Sequence, residues 1–326
     1  MKIVTDLENF NVKNPVLTVG TFDGVHLGHQ KLINNLKKST KDINGSSVVF
    51  TFTEHPRKIL NPEIKLDLLH SAEEKRIMLQ KMNIDYAIFL NFTKEFSQLT
   101  AFEFVEKVLV QKLKIKKLIL GYNHLFGKDR LGNFENVQYY AKMFGFELEK
   151  IDAELDNDIA ISSTKIRNYI VDGNIKLANK FLGYEYFLKG TVIEGNKIGR
   201  TFGFPTANIS YSNDKLLPSV GVYAVTVEIE NKKFNGMANI GFRPTIEIDN
   251  RQKTVEVNIF DFDEDIYNKV VIVNFIDRIR NEKKFQNTIQ LKQQLNKDKV
   301  VIINLLKEEM LNTTSLLFKT ENSYDE

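Results

Sequence analysis

The chain has 326 residues, 42% hydrophobic and 27% charged, a composition that suits two ordinary globular cores and excludes a disordered chain. Its 45 Lys and Arg barely exceed its 42 Asp and Glu, so it lacks the basic excess that binds a phosphodiester backbone, and no nucleic-acid partner is expected. It has no cysteine, which removes disulfides, thiolate nucleophiles and Cys-held metal centres; it also has no signal-peptide core near Asp6 and Glu8 and no run of about 20 apolar residues. A cytoplasmic enzyme or binding protein without a membrane partner is expected.

Residues 16–19 predict a strand and 30–38 a helix, with Leu32, Ile33 and Leu36 on one face. Strands predicted at 47–52, 86–92, 117–120 and 146–151 alternate with helices at 72–82, 101–113 and 137–144, and helices at 163–171 and 175–182 follow. Such alternation predicts an α/β unit with a doubly wound parallel sheet. Beyond 182 come strands at 188–193, 206–210, 223–229, 234–240, 255–260 and 270–276, with Asn231-Lys232 as a hairpin connection. Their spacing, about 8–15 residues, predicts a small antiparallel β-barrel. A terminal helix is expected over 287–311 and a frayed polar end over 313–326. The boundary is placed near Gly183-Tyr184-Glu185, dividing 1–184 from 185–326.

The first strand runs into Gly20-Thr21-Phe22-Asp23-Gly24-Val25-His26-Leu27-Gly28-His29 and then a helix. Glycines at such a corner let backbone N–H groups approach an anion, and the helix N-terminus adds partial positive charge. His26 and His29, three apart, can both face one phosphate and offset charge growing in a transition state. Two histidines at a helix start could also be caps or surface groups. Against that, all five histidines (26, 29, 55, 70 and 124) lie in the first 124 residues, and three of the four βα corners carry one. A second cluster, Ser162-Ser163-Thr164-Lys165-Ile166-Arg167, opens another helix. Capping explains one hydroxyl; three, with two cations, suit the β- and γ-phosphates of a nucleotide.

In the second half, Gly190 to Arg200 leads into Phe202-Gly203-Phe204-Pro205-Thr206-Ala207-Asn208. Its Gly195 and Gly199 could form a flap over phosphates, but the run lacks the Walker A pattern and by composition could be a turn-rich barrel corner.

Taken in order, these motifs resemble the bacterial bifunctional riboflavin kinase and FAD synthetase family over residues from about 10 to 310. The resemblance implies a Rossmann-like nucleotidyltransferase domain followed by a barrel kinase domain, with riboflavin, FMN and ATP as small-molecule substrates and Mg²⁺ as cofactor. In the first domain it implies that His26 and His29 act on the ATP α-phosphate, that Arg167 assists, and that Gly20, Phe22, Asp23, Gly24, Gly28, Ser162, Ser163 and Thr164 bind ATP. Asn123, Phe126 and Arg130 fall in a loop similar to the family's flavin loop, although Asn123 stands where Asp is common and Leu125 where Arg is common. In the second domain, Thr206 and Asn208 are implied oxygen ligands of Mg²⁺ and Gly195, Gly199 and Arg200 belong to the ATP flap. Glu256 is the implied base for the ribityl hydroxyl, and Asn239 and Arg280 belong to the flavin side. Two rivals remain open: an adenylyltransferase for another phosphorylated metabolite, and a non-catalytic flavin or nucleotide sensor with a decayed first site.

Overall fold

The computed structural model describes all residues except 64, 123, 129, 158, 196–198, 200–202, 243–252 and 322–326. The chain divides into two compact units, Met1–Ile166 and Arg167–Glu326.

The first unit is a parallel sheet of β1 (Lys2–Val4), β2 (Pro15–Val19), β3 (Ser46–Phe52), β4 (Tyr86–Leu90), β5 (Lys117–Gly121) and β6 (Glu147–Ile151), ordered β1-β4-β3-β2-β5-β6. Every residue of β2 is buried, as a central parallel strand covered on both faces requires. Around the sheet run α1 (Leu27–Asp42), α2 (Pro56–Leu60), α3 (Ala72–Lys81), α4 (Lys94–Ser97), α5 (Ala101–Glu103) and α6 (Phe134–Phe144). A small hairpin, β7 (Leu155–Asp156) and β8 (Ile159–Ala160), precedes α7 (Ser163–Val171), within which the division between units falls. The strand order reverses between β2 and β5, so their carboxyl ends open the crevice where doubly wound sheets bind ligands.

Local chemistry explains the helix starts. Ser71 and Glu74 cap α3 reciprocally, and α6 begins on Asn133 and ends on Gly145 at φ +73°. The helix expected over 101–113 is present but widens after Glu103 into π-helical turns over Phe104–Lys112, with the Leu113 N–H bonded to the Val108 carbonyl five residues back. Strand β1, too short for a periodicity signal, is an edge strand held by β4.

The second unit is a closed barrel, β10-β13-β12-β11-β14-β9, built from β9 (Tyr186–Ile193), β10 (Ala207–Ser210), β11 (Gly221–Ile229), β12 (Lys232–Phe242), β13 (Lys253–Ile259) and β14 (Val270–Arg280). It also holds α8 (Ile175–Leu182) and the terminal α9 (Thr288–Glu321). The expected hairpin exists, but Ile229 pairs with Lys232, so the turn is Glu230-Asn231 rather than Asn231-Lys232. Both turn residues have positive φ, +49° and +67°, the mirror-image geometry that matches strand twist. Val222 and Ala224 of β11 pack with Met237 and with Ile302 and Leu306 of α9, which explains why β11 is buried on both faces. The helical backbone of α9 continues past 311 to Glu321, beyond the point where fraying was expected.

Candidate functional sites

The turn after β2 is shaped by three positive φ angles, at Phe22 (+49°), Gly24 (+86°) and Val25 (+32°). Phe22 is fully buried, so it shapes the turn from within. The buried Asp23 carboxylate accepts hydrogen bonds from the Leu69 and His70 N–H groups at 3.2 and 3.1 Å, and the Asp23 carbonyl accepts one from Ser163 Oγ at 2.8 Å. Asp23 thus ties the turn to residues 69–70 and to α7. His26 caps α1 by accepting the His29 N–H on Nδ1 at 3.4 Å, which leaves its ring proton on Nε2. The two imidazoles stack with centroids 3.7 Å apart and planes 18° apart. A side chain at Gly28 would press on this stack, since a Cβ there would lie 3.3 Å from the His26 ring.

His29 titrates well below the usual histidine range, first because it is buried and then because His26, His70, Lys75 and His124 repel its charge. Burial likewise lowers Lys75 to about 8, with Asp23 opposing the shift. The Lys75 ammonium donates to the Phe52 carbonyl at 2.8 Å and the Thr21 carbonyl at 3.1 Å. Basic groups from several corners therefore converge at the strand ends, an arrangement that becomes favourable when an anion enters.

In α7, Ser162 Oγ accepts the Lys165 N–H at 3.5 Å, the Lys165 ammonium donates to the Ala160 carbonyl at 3.0 Å, and Thr164 is exposed. Of the three hydroxyls expected to cradle phosphates, Ser162 caps and Ser163 clamps the Asp23 turn. Arg167 stands one turn after Ser163 on the same helix.

Beside the turn, a cavity of about 480 Å³ is bounded by Gly20, Thr21, His124 and an unbroken aromatic chain. Phe52 and Phe92 pack at 5.0 Å, Phe96 and Phe104 at 5.8 Å, and Phe104 and Phe126 at 5.2 Å. Phe126 and Arg130 line it, while Asn123 lies outside the described residues. Phe52, Phe92, Phe96 and Phe104 are not singled out by the sequence. The available signal was weak: phenylalanines at or just beyond the ends of β3 and β4.

In the barrel, register builds the second site. Asn208 of β10 faces Glu256 of β13, Glu256 faces Asn239 of β12, Asn239 faces Val222 of β11, and Val222 faces Arg280 of β14. Cross-strand neighbours share a face, so five strands contribute to one row. Asn239, Glu256 and Arg280 line a cavity of about 390 Å³ with Thr206, Phe285 and Leu295. Thr206 also lines a neighbouring cavity of about 460 Å³, with Val192, Phe262 and the acidic run 263–265. The Arg280 guanidinium, expected on the flavin, is engaged by buried Asp298 of α9 through Nε at 2.9 Å and Nη2 at 2.8 Å. Gly195 lies against Asn208: a Cβ there would stand 1.9 Å from the amide nitrogen. A Cβ at Gly199 would lie 2.1 Å from the Phe204 carbonyl oxygen, and Arg200 is outside the described residues. Thr206 and Asn208 offer a hydroxyl and a carboxamide oxygen beside a carboxylate in register, a hard-oxygen donor set that fits a magnesium ion holding most of its waters.

Among the described residues, no helix is long and apolar enough to cross a membrane. The FAD synthetase family profile matches residues 9–165 and the riboflavin kinase profile residues 182–306. Among curated proteins, a bifunctional riboflavin kinase/FMN adenylyltransferase of Haemophilus influenzae is 38% identical over 301 residues, 91% of this chain and 97% of its own. One of the same name from Bacillus subtilis is 35% identical over 288 residues, 87% of this chain and 90% of its own. A crystal structure from Streptococcus pneumoniae, titled a macrolide-efflux protein, superposes with a TM-score of 0.84 at 34% identity, covering 93% of this chain and 98% of that one.

Proposed function

The chain belongs to the bifunctional riboflavin kinase/FMN adenylyltransferase family, which phosphorylates riboflavin to FMN and joins FMN to an adenylyl group to give FAD, and on that premise we propose how its residues divide the two reactions. Adenylyl transfer belongs to residues 1–184 and phosphoryl transfer to 185–326, both in the cytoplasm and both with ATP as co-substrate. The observation that carries this division is that the stacked imidazole pair and the Asn208–Glu256–Asn239 row occur in different compact units, each beside its own cavity.

In the first reaction site, the ATP α-phosphate sits on the turn from Gly20 to Gly28, facing His26 and His29. Both rings donate hydrogen bonds as negative charge builds on the α-phosphoryl oxygens. An oxygen of the FMN phosphate attacks phosphorus and pyrophosphate leaves, so no protein nucleophile is required. Ser162, Thr164 and Arg167 hold the departing pyrophosphate, Arg167 through its planar fork, while Ser163, whose hydroxyl proton is committed to the Asp23 carbonyl, fixes the turn beside them. The aromatic cavity with Phe126 and Arg130 takes the flat isoalloxazine ring, and Asn123 belongs to the same loop.

In the second, Thr206 bounds two cavities, which suits a point where two substrates meet. Glu256 lines only one of them, so riboflavin occupies that side, its 5′-hydroxyl proton passing to Glu256 as oxygen attacks the γ-phosphate. ATP occupies the side lined by Val192 and Phe262, its phosphates reaching the junction at Thr206 where Gly199 borders the riboflavin cavity, and Gly195 and Arg200 are assigned to the same phosphate flap. Thr206 and Asn208 hold magnesium, which when bound neutralises charge on the phosphate oxygens. Asn239 keeps Glu256 company on the flavin side, and Arg280 acts there through the position it gives α9.

Incubating the protein with riboflavin, ATP and Mg²⁺ and separating the flavins tests the division. His29→Ala is expected to stop at FMN, while Glu256→Gln is expected to convert supplied FMN to FAD but leave riboflavin untouched. Equal loss of both steps in either variant would end this partition.

A further inference from the structure

We propose that His124 binds the FMN phosphate in the adenylyl-transfer site, presenting it to the phosphorus held at the His26–His29 pair. This deepens the reading of the aromatic cavity as the flavin site and rests on it. His124 follows β5, on the far side of the crevice from the turn after β2, and its backbone is fixed by its N–H bond to the Gly121 carbonyl at 3.1 Å. It lines the flavin cavity, its ring 5.7 Å from Phe126 between centroids, and it also lies within electrostatic reach of His29. One imidazole thus borders both the place where the flavin lies and the place where its phosphate reacts.

The side chain is also chemically unfinished. His124 Nε2 is buried and has no hydrogen-bond partner in the protein. A buried polar nitrogen is normally satisfied, and one left open in the wall of a ligand cavity points to a bond made by the ligand. Burial holds the imidazole at a pKa of about 4, so it is neutral at neutral pH. A neutral ring protonated on Nε2 donates one directed hydrogen bond to a phosphate oxygen. It orients the nucleophile without placing a full positive charge on it, which would blunt its attack. The cations Arg57 and Arg130 line the same cavity and supply the charge balance.

The test uses the full chain, FMN and ATP supplied directly, and steady-state FAD formation. His124→Phe, which keeps the ring packed on Phe126 but removes the nitrogen, is expected to raise KM for FMN roughly ten- to a hundredfold, as loss of a hydrogen bond to a charged group does. KM for ATP should stay within a few-fold. Riboflavin, which has no phosphate, should compete with FMN equally well in both proteins. His124→Gln, which returns an N–H donor, should recover most of the loss. An unchanged FMN KM in His124→Phe would overturn the proposal. So would a shift confined to ATP, or a parallel weakening of riboflavin inhibition, which would mean that His124 only supports the ring. If the unaltered protein made no FAD from FMN, the adenylylation reading itself would fall and take this inference with it.

Discussion

Gly195→Ala is the sharpest test of the kinase site, because the backbone at this position needs no left-handed conformation and the substitution acts through one contact. The added Cβ would stand 1.9 Å from Asn208 Nδ2 and 2.6 Å from its Cγ. Non-bonded atoms rest about 3.5 Å apart, so the carboxamide must withdraw by roughly 1.5 Å. Asn208 sits on β10 between Ile193 and Glu256, whose pairings fix its backbone, so the displacement falls on the side chain assigned to magnesium. A misplacement of about 1 Å at a reacting centre can cost on the order of a hundredfold in rate. We therefore expect kcat for riboflavin phosphorylation to fall about a hundredfold, with FAD formation from supplied FMN unaltered and the fold intact. Gly203→Ala is the control: its Cβ would meet nothing within 4 Å, and φ +86° confines the effect to backbone strain of about 1–2 kcal/mol. Separate assays of the two half-reactions by flavin chromatography give the readout. Near-normal riboflavin phosphorylation by Gly195→Ala would refute the assignment of Asn208 to the metal.

Three further expectations follow from the geometry. Asp298→Ala strands the Arg280 guanidinium in a largely buried site, so it should destabilise the barrel unit by about 3–5 kcal/mol in denaturant titrations and raise KM for riboflavin as α9 loosens. A loss under 1 kcal/mol would show the pair to be dispensable. His29 is neutral at pH 7 in the free protein, and a bound triphosphate favours its charged form. ATP binding should therefore take up protons, more at pH 6 than at pH 8, in calorimetry repeated in buffers of different ionisation enthalpy, and His29→Ala should lose this uptake. Lys75 has a folded pKa of about 8 against 10.5, so the unfolded chain binds the extra proton between those values and stability rises with pH through that window. The stability difference between the native protein and Lys75→Met should move in favour of the native protein by about 3 kcal/mol from pH 7.5 to 10.5; a flat difference would contradict the burial argument.

The sequence by itself determined the order of the architecture and where the polar motifs fall in it. Alternating apolar runs dictated the parallel sheet, turn-separated strands dictated the barrel, and the Gly-rich run to His29 had to fall at a strand-to-helix corner because its glycines, capping histidine and following amphipathic helix are local features. The tertiary structure alone decided what each polar group is doing. Asp23 and Ser163 look alike as phosphate ligands in the sequence, yet one accepts N–H groups from residues 69–70 and the other clamps the Asp23 carbonyl. Arg280 reads as a ligand cation until Asp298 arrives from α9. Register across five strands aligned Asn208, Glu256, Asn239 and Arg280, and the aromatic cavity drew its phenylalanines from several separate elements. The reason is physical: local spacing fixes which face of an element a side chain occupies, but its partner is chosen by packing between segments distant in the chain, where burial makes each hydrogen bond obligatory.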